Sequence, residues 1–215
     1  MALVVLTGGA RSGKSDLAQE LARVRALDGS RVAVAVFADE GQDDETAGRV
    51  ERHRHDRPAD FGVIEAGDSR SWTDAVADDD LLVVDCLGTL VTMVMDETLR
   101  ERELLAEVPK GQNPAAAPTP DEQTALLPTQ LASEVETRVN VLLEGILTRS
   151  GDTIVVTNEV GDGVVPPFAS GRLFRDVLGR ANKRLVSAAD VAYLVTCGRA
   201  LDITALPQTV HWPED

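Results

Sequence analysis

The chain has 215 residues, 43% of them hydrophobic and only 3% aromatic. That length gives one large domain with ample material for a core built from Val, Leu, Ile and Ala. The formal net charge of −15 disfavours nucleic acid and anionic membrane surfaces as partners.

Taken in chain order, apolar β-rich runs alternate with helical patterns. The first run, Leu3–Thr7, leads into Gly8-Gly9-Ala10-Arg11-Ser12-Gly13-Lys14-Ser15. Those eight residues fit G-x-x-x-x-G-K-[ST] without a gap, and Lys14–Leu27 follows with a helical pattern. Strand, glycine-rich loop and helix in that order define a phosphate-binding loop. Its backbone N–H groups and the helix N-terminus favour an anion. Lys14 is placed to reach the β/γ-phosphates of a nucleoside triphosphate, and the Ser15 hydroxyl to ligate Mg²⁺. Only three of the 21 basic side chains are lysines, and one of them stands here.

The second strand is Val32–Phe37. A helical pattern over Asp43–Arg54 merges into Arg49-Val50-Glu51-Arg52-His53-Arg54-His55-Asp56-Arg57, a basic run in an acidic chain. It reads as a solvated charged face, or as a triphosphate-binding face carrying a nucleophile. An imidazole can attack phosphorus and hold a nucleotidyl group, while arginines neutralise the leaving pyrophosphate. Residue types alone do not choose between His53 and His55.

Gly62–Glu65 reads as a short third strand, Ser71–Ala77 as a helix and Leu81–Asp85 as the fourth strand. Asp85 closes an apolar strand, where P-loop enzymes keep the acid that holds Mg²⁺. A charged helix is expected over Glu97–Glu107. Pro109–Pro128 contains five prolines and reads as an exposed linker or insertion. A helix at Ser133–Arg149 precedes the fifth strand, Thr153–Thr157. The loop Thr157–Pro166 then suits substrate or phosphate contact at a strand's carboxyl end, or reads as a plain Gly-Pro turn. A helix over Gly171–Ser187 carries Arg172, Arg175, Arg180, Asn182, Lys183 and Arg184, some facing an anion or partner subunit and others solvated. Val191–Thr196 is the sixth strand. Near-continuous apolar strands between helices predict an α/β fold: a mostly parallel sheet with helices on both faces.

Trp72 and Trp212 read as packing residues. Cys86 and Cys197 read as two buried, unpaired thiols of a reducing cytosol. With no apolar run approaching ~18 residues and no basic stretch before the first strand, neither a signal peptide nor a membrane span is expected.

Four blocks now carry a resemblance. They are Thr7–Ser15, Arg49–Pro58, Val83-Val84-Asp85-Cys86-Leu87, and Thr157–Gly161 with Leu173–Asn182. In this order they resemble the bifunctional adenosylcobinamide kinase / adenosylcobinamide-phosphate guanylyltransferase family of adenosylcobalamin assembly. The resemblance implies a RecA-like three-layer P-loop fold; the chain reads as a single domain over 1–215, and 109–128 departs from the family as an enlarged insertion. It implies phosphorylation of adenosylcobinamide by ATP or GTP. Transfer of GMP from GTP through a guanylylated histidine to adenosylcobinamide-phosphate would follow.

By motif position the histidine is His53, followed by Arg57-Pro58. The implied nucleotide contacts are Gly8, Gly9, Ala10, Arg11, Ser12, Gly13, Lys14 and Ser15, then Ala38, Asp39 and Glu40. Arg54, His55, Asp56, Arg57, Glu65 and Asp85 complete the set, with Mg²⁺ on Ser15 and Asp85. The family resemblance also implies a homo-oligomer, a trimer, and the cysteine usage places it in the cytoplasm. Two other readings of the phosphate loop are a small-molecule kinase without nucleotidyl transfer, which leaves His53 idle, and a P-loop ATPase or GTPase switch, against which the small size and the His/Arg cluster count.

Overall fold

The structure is a computed structural model, and it describes residues 1–37, 60–78, 80–102 and 129–208. The strands are β1 (Leu3–Gly8), β2 (Val32–Phe37), β3 (Gly62–Ala66), β4 (Leu81–Asp85), β5 (Thr153–Val156), β6 (Val191–Thr196) and β7 (Arg199–Asp202). The helices are α1 (Lys14–Leu27), α2 (Leu87–Glu101), α3 (Thr129–Leu147) and α4 (Ala169–Ala188). The strands form one sheet in the order β3-β2-β4-β5-β1-β6-β7. Every neighbouring pair is parallel except the closing hairpin β6–β7.

Strand side chains alternate between faces, and each face has its own cover. Val5, Ala33, Ala35, Leu82, Val84 and Val155 pack under α2, α3 and α4. Leu6, Val34, Val83, Ile154 and Val156 pack with Ala18 and Ala22 of α1. This is the mostly parallel α/β arrangement expected, with helices on both faces. The central strands β4 and β5 are buried almost throughout, as their unbroken apolar runs require.

Register sets the geometry of the site. Leu6, Val156, Asp85, Val36 and Glu65 lie in one row across five strands. Asp85 therefore faces the α1 side of the sheet, the side on which Ser15 begins α1.

Four expectations are corrected. Ser71–Ala77 is not a helix; only the 3-10 turn Thr73–Ala75 forms. The Asp68 carboxylate accepts the Arg70 and Ser71 N–H groups at 2.8 and 2.7 Å, holding the chain in a turn. The helix expected from Glu97 starts ten residues earlier, at Leu87, where Cys86 and Thr89 form a reciprocal cap. A seventh strand was not anticipated. The thiols are not both buried: Cys86 is half-buried and Cys197 is exposed, and neither is in a disulfide. Cys197 and Gly198 both have positive φ, 49° and 71°, in the two-residue hairpin turn that joins β6 to β7 and faces solvent.

Trp72 does pack inside, edge-on to Phe37 with ring centroids 5.7 Å apart. Trp212, the helix expected at Asp43–Arg54 and the Pro109–Pro128 segment lie outside the described residues. Among the described residues, no helix is long and apolar enough to cross a membrane.

Candidate active site

β1 runs into the phosphate loop at Gly8. A Cβ there would sit 2.2 Å from the Val195 carbonyl oxygen, and φ is +147°. Gly8 is paired with Val195 in the sheet, so neither backbone can retreat. Gly13 caps α1 with φ +96°, and a Cβ on it would come within 3.3 Å of Gly198 Cα. The hairpin turn thus presses on the loop from outside, and Gly198 N–H donates to the Ser12 carbonyl at 2.8 Å. No side chain caps the N-terminus of α1, which leaves its first amides for an anion.

Lys14 is 6% exposed. Its Nζ donates to the carbonyls of Gly8 and Gly9 at 3.0 and 2.6 Å and lies 3.4 Å from Ser12 Oγ. The ammonium is folded back into its own loop. Burial pushes it below the ordinary lysine value, and the nearby Cys86 and Asp85 pull the other way.

Ser15 Oγ donates to Asp85 Oδ1 at 3.1 Å. Hydroxyl and carboxylate are hard oxygen donors, of the kind that suits Mg²⁺ shared with a phosphate chain. Among the described residues no group of three or more His, Cys, Asp or Glu gathers. A cation here would therefore draw most of its ligands from water and nucleotide. The donor set fits Mg²⁺.

β5 lies between the loop strand β1 and the Asp85 strand β4. The Thr157 N–H donates to the Leu6 carbonyl and the Glu159 N–H to the Gly8 carbonyl, each at 2.9 Å. The start of the Thr157–Pro166 loop expected near ligand therefore abuts the phosphate loop. Behind it, Thr157 Oγ1 donates to Asn182 Oδ1 at 2.6 Å, and Asn182 Nδ2 donates to the Asn158 carbonyl at 2.9 Å.

The structure brings Gly8–Ser15 and Asp85 together. Glu65 is exposed and lies in the Asp85 row two strands away, roughly 10 Å at ordinary strand spacing. Ala38, Asp39, Glu40, His53, Arg54, His55, Asp56 and Arg57 lie outside the described residues. The α4 arginines divide. Arg172 donates to the Pro166 and Pro167 carbonyls at 3.1 and 2.6 Å. Arg180 pairs with Glu136 at 2.8 Å, and Arg184 pairs with Glu144 and donates to Asn140. These three tie α4 to its own N-terminal loop and to α3. The anchor formed by Thr157 and Asn182 was not foreseen as such. Its signal was an Asn at a core position of α4, between Ala181 and Leu185. A cleft of about 420 Å³ lined by Arg31, Phe61 and Asp80 opens at the amino ends of β2 and β3, the far end of the sheet from Lys14.

A glycine-rich loop joining strand to helix, a buried lysine within it, and a serine bonded to a strand-end aspartate define a P-loop nucleoside-triphosphate-binding protein. The chain belongs to the cobinamide kinase / cobinamide phosphate guanyltransferase family, whose model matches residues 4–203. It is similar to the bifunctional adenosylcobalamin biosynthesis protein CobU of Salmonella typhimurium, at 31% identity over 94% of this chain and 99% of the relative. CobU of Escherichia coli is 29% identical over the same shares of both chains. The bifunctional adenosylcobalamin biosynthesis protein CobP of Pseudomonas aeruginosa is 28% identical over 94% of this chain and 98% of its own. The chain is a nucleoside-triphosphate-dependent transferase with the kinase and guanylyltransferase roles that define its family.

Proposed function

We propose that the chain carries out two successive transfers at one nucleotide site. In the first, the aminopropanol hydroxyl of adenosylcobinamide attacks the γ-phosphorus of ATP or GTP. The bond to the β-phosphate oxygen breaks, the nucleoside diphosphate leaves and the hydroxyl proton is released. In the second, an imidazole nitrogen of His53 attacks the α-phosphorus of GTP and pyrophosphate leaves. A phosphate oxygen of adenosylcobinamide-phosphate then attacks that phosphorus, the P–N bond breaks, and adenosylcobinamide-GDP and free His53 result.

The observation that carries this reading is the Gly8–Lys14–Ser15–Asp85 arrangement. Phosphoryl transfer needs positioning and charge neutralisation more than covalent help from the protein. Gly8–Ser15 would cradle the phosphates, and Lys14 would leave its loop carbonyls for phosphate oxygens. Ser15, directly, and Asp85, through water, would hold Mg²⁺, which when bound supplies charge neutralisation. Arg54 and Arg57, with Ala38–Glu40, His55, Asp56 and Glu65, would complete the nucleotide site. The assignments to 38–40 and 53–57 rest on the motif resemblance.

The same reading takes residues 1–215 as a single domain with 109–128 as an insertion. In support, Arg102 Nε donates to Glu134 at 2.9 Å and Arg138 donates to both Glu101 and Glu134 at 2.9 and 2.8 Å. These pairs close the base from which the chain leaves α2 and to which it returns at α3. It also takes the protein as a cytoplasmic homotrimer. Two free cysteines and the acidic surface fit a reducing aqueous compartment; the trimer rests on the resemblance alone.

Incubation with GTP, Mg²⁺ and adenosylcobinamide, read by mass, tests the reading. Adenosylcobinamide-GDP is the expected product. Accumulation of adenosylcobinamide-phosphate as the sole product would reduce the chain to a kinase.

A further inference from the structure

Gly8 carbonyl oxygen is shared. It accepts Lys14 Nζ at 3.0 Å and the Glu159 N–H at 2.9 Å, one donor from the phosphate loop and one from the loop after β5. A carbonyl has two lone pairs, and these two donors occupy both. The position of Glu159 therefore bears on where the Gly8 carbonyl points, and through it on the resting place of the lysine.

Glu159 is held from below. Thr157 is fully buried and Asn182 is 5% exposed. Asn182 uses both ends of its amide: Oδ1 accepts the Thr157 hydroxyl at 2.6 Å, and Nδ2 donates to the Asn158 carbonyl at 2.9 Å. The two bonds hold the residues on either side of the peptide that enters Asn158. One residue later comes the N–H that reaches Gly8. The rest of the buried α4 face is apolar: Leu173, Val177, Leu178, Ala181 and Leu185. An asparagine among them has a structural cost unless paired, and its partners are both in the loop beside the phosphate cradle.

We propose that Asn182 is a positioning residue for phosphoryl transfer. Through Thr157 and the Asn158 carbonyl it fixes the loop whose Glu159 N–H shares the Gly8 carbonyl with Lys14. The inference rests on the kinase reading given above. Asn182 touches no substrate in this role. Its effect is on the Gly8 backbone, which the Glu159 N–H still holds after Lys14 has moved to the phosphates, so it appears in turnover rather than in nucleotide affinity.

The test uses the full chain, ATP, Mg²⁺ and adenosylcobinamide, with folding of each variant checked by circular dichroism and thermal melting. Thr157→Val keeps the side-chain shape and removes the donated hydroxyl. Asn182→Asp keeps an acceptor for Thr157 and loses the donor to Asn158. Each is expected to lower kcat tenfold to 100-fold, the cost of roughly ångström-scale misplacement. The KM for ATP should stay within about twofold, the signature of an effect confined to turnover. Thr157→Ser, which restores the hydroxyl, recovers the turnover lost in Thr157→Val. Wild-type kcat in both Thr157→Val and Asn182→Asp, or a loss confined to KM, would overturn the positioning role. Wild-type protein that forms no adenosylcobinamide-phosphate with either ATP or GTP would instead overturn the kinase reading beneath it.

Discussion

Ser15 and Asp85 are 70 residues apart in the chain and joined by a 3.1 Å hydrogen bond. The sheet brings them together. Asp85 stands in register with Val156, and Val156 with Leu6, two residues before the loop. The carboxylate therefore reaches the first turn of α1 on the face that α1 covers. If this pair holds Mg²⁺, Asp85→Asn raises the Mg²⁺ concentration needed for half-maximal activity by about 10–100-fold, as loss of an outer-shell partner does. A Mg²⁺ titration of kinase activity reads this directly; an unchanged midpoint would remove Asp85 from the metal site.

Lys14 is buried and bonded to its own loop. Lys14→Met keeps much of the apolar stem and removes the ammonium. Turnover should fall roughly 10²–10³-fold, the usual loss when one preorganised charge donor is removed. Steady-state kinetics with ATP measures it, and a loss under tenfold would mean that Lys14 does not meet the transferring phosphate.

The close approach of β1 to β6 gives a stability prediction. Gly8→Ala places a Cβ against the Val195 carbonyl and demands a backbone conformation that L residues rarely adopt. Destabilisation of about 2 kcal/mol or more is expected, together with loss of nucleotide binding. Urea unfolding and binding of a fluorescent nucleotide would show both. A stable variant that still bound nucleotide would contradict the geometry of the loop.

Asp152 gives a pH dependence away from the site. Its hydrogen bonds from Arg25, at 2.8 Å to Nε, and from the Ala2 N–H, at 2.7 Å, hold its carboxyl below the usual aspartate value. A depressed folded pKa stabilises the native state above the unfolded value of about 3.9, and the gain is lost as pH falls through the folded value. Asp152→Asn should therefore be less stable than wild type at neutral pH, and the gap should narrow towards about pH 3. Chemical unfolding at the two pH values checks this, and a gap independent of pH would contradict it.

Much of this arrangement was legible in the sequence because it is local. The phosphate loop is one contiguous motif, and the strands β1, β2, β4 and β6 are apolar runs whose burial leaves little choice of structure. Asp85 was legible for the same reason, as the polar end of an apolar strand. What was hidden is non-local or set by side-chain bonds to the backbone. Arg199-Ala200-Leu201-Asp202 pairs only because Cys197-Gly198 turns the chain back, and its exposed residues carry no burial signal. The start of α2 depends on the Cys86–Thr89 cap. The turn at Asp68–Ser71 replaced a helix through bonds to the Asp68 carboxylate. The Thr157–Asn182 contact spans 25 residues and has no spacing rule. The choice of His53 over His55 came from family position, not from chemistry.

The most direct test of the central claim follows the α-phosphate. The full chain is incubated with GTP labelled at the α-phosphorus and Mg²⁺, then chased with adenosylcobinamide-phosphate. Labelled protein should form with an acid-labile, base-stable bond and pass its label to adenosylcobinamide-GDP. Labelling should weaken towards acid pH, because the attack needs a neutral imidazole. His53→Ala should take up no label and keep its kinase activity. Label retained in His53→Ala, or a labelling rate that stays flat down to about pH 5, would contradict the claim that His53 carries the guanylyl group.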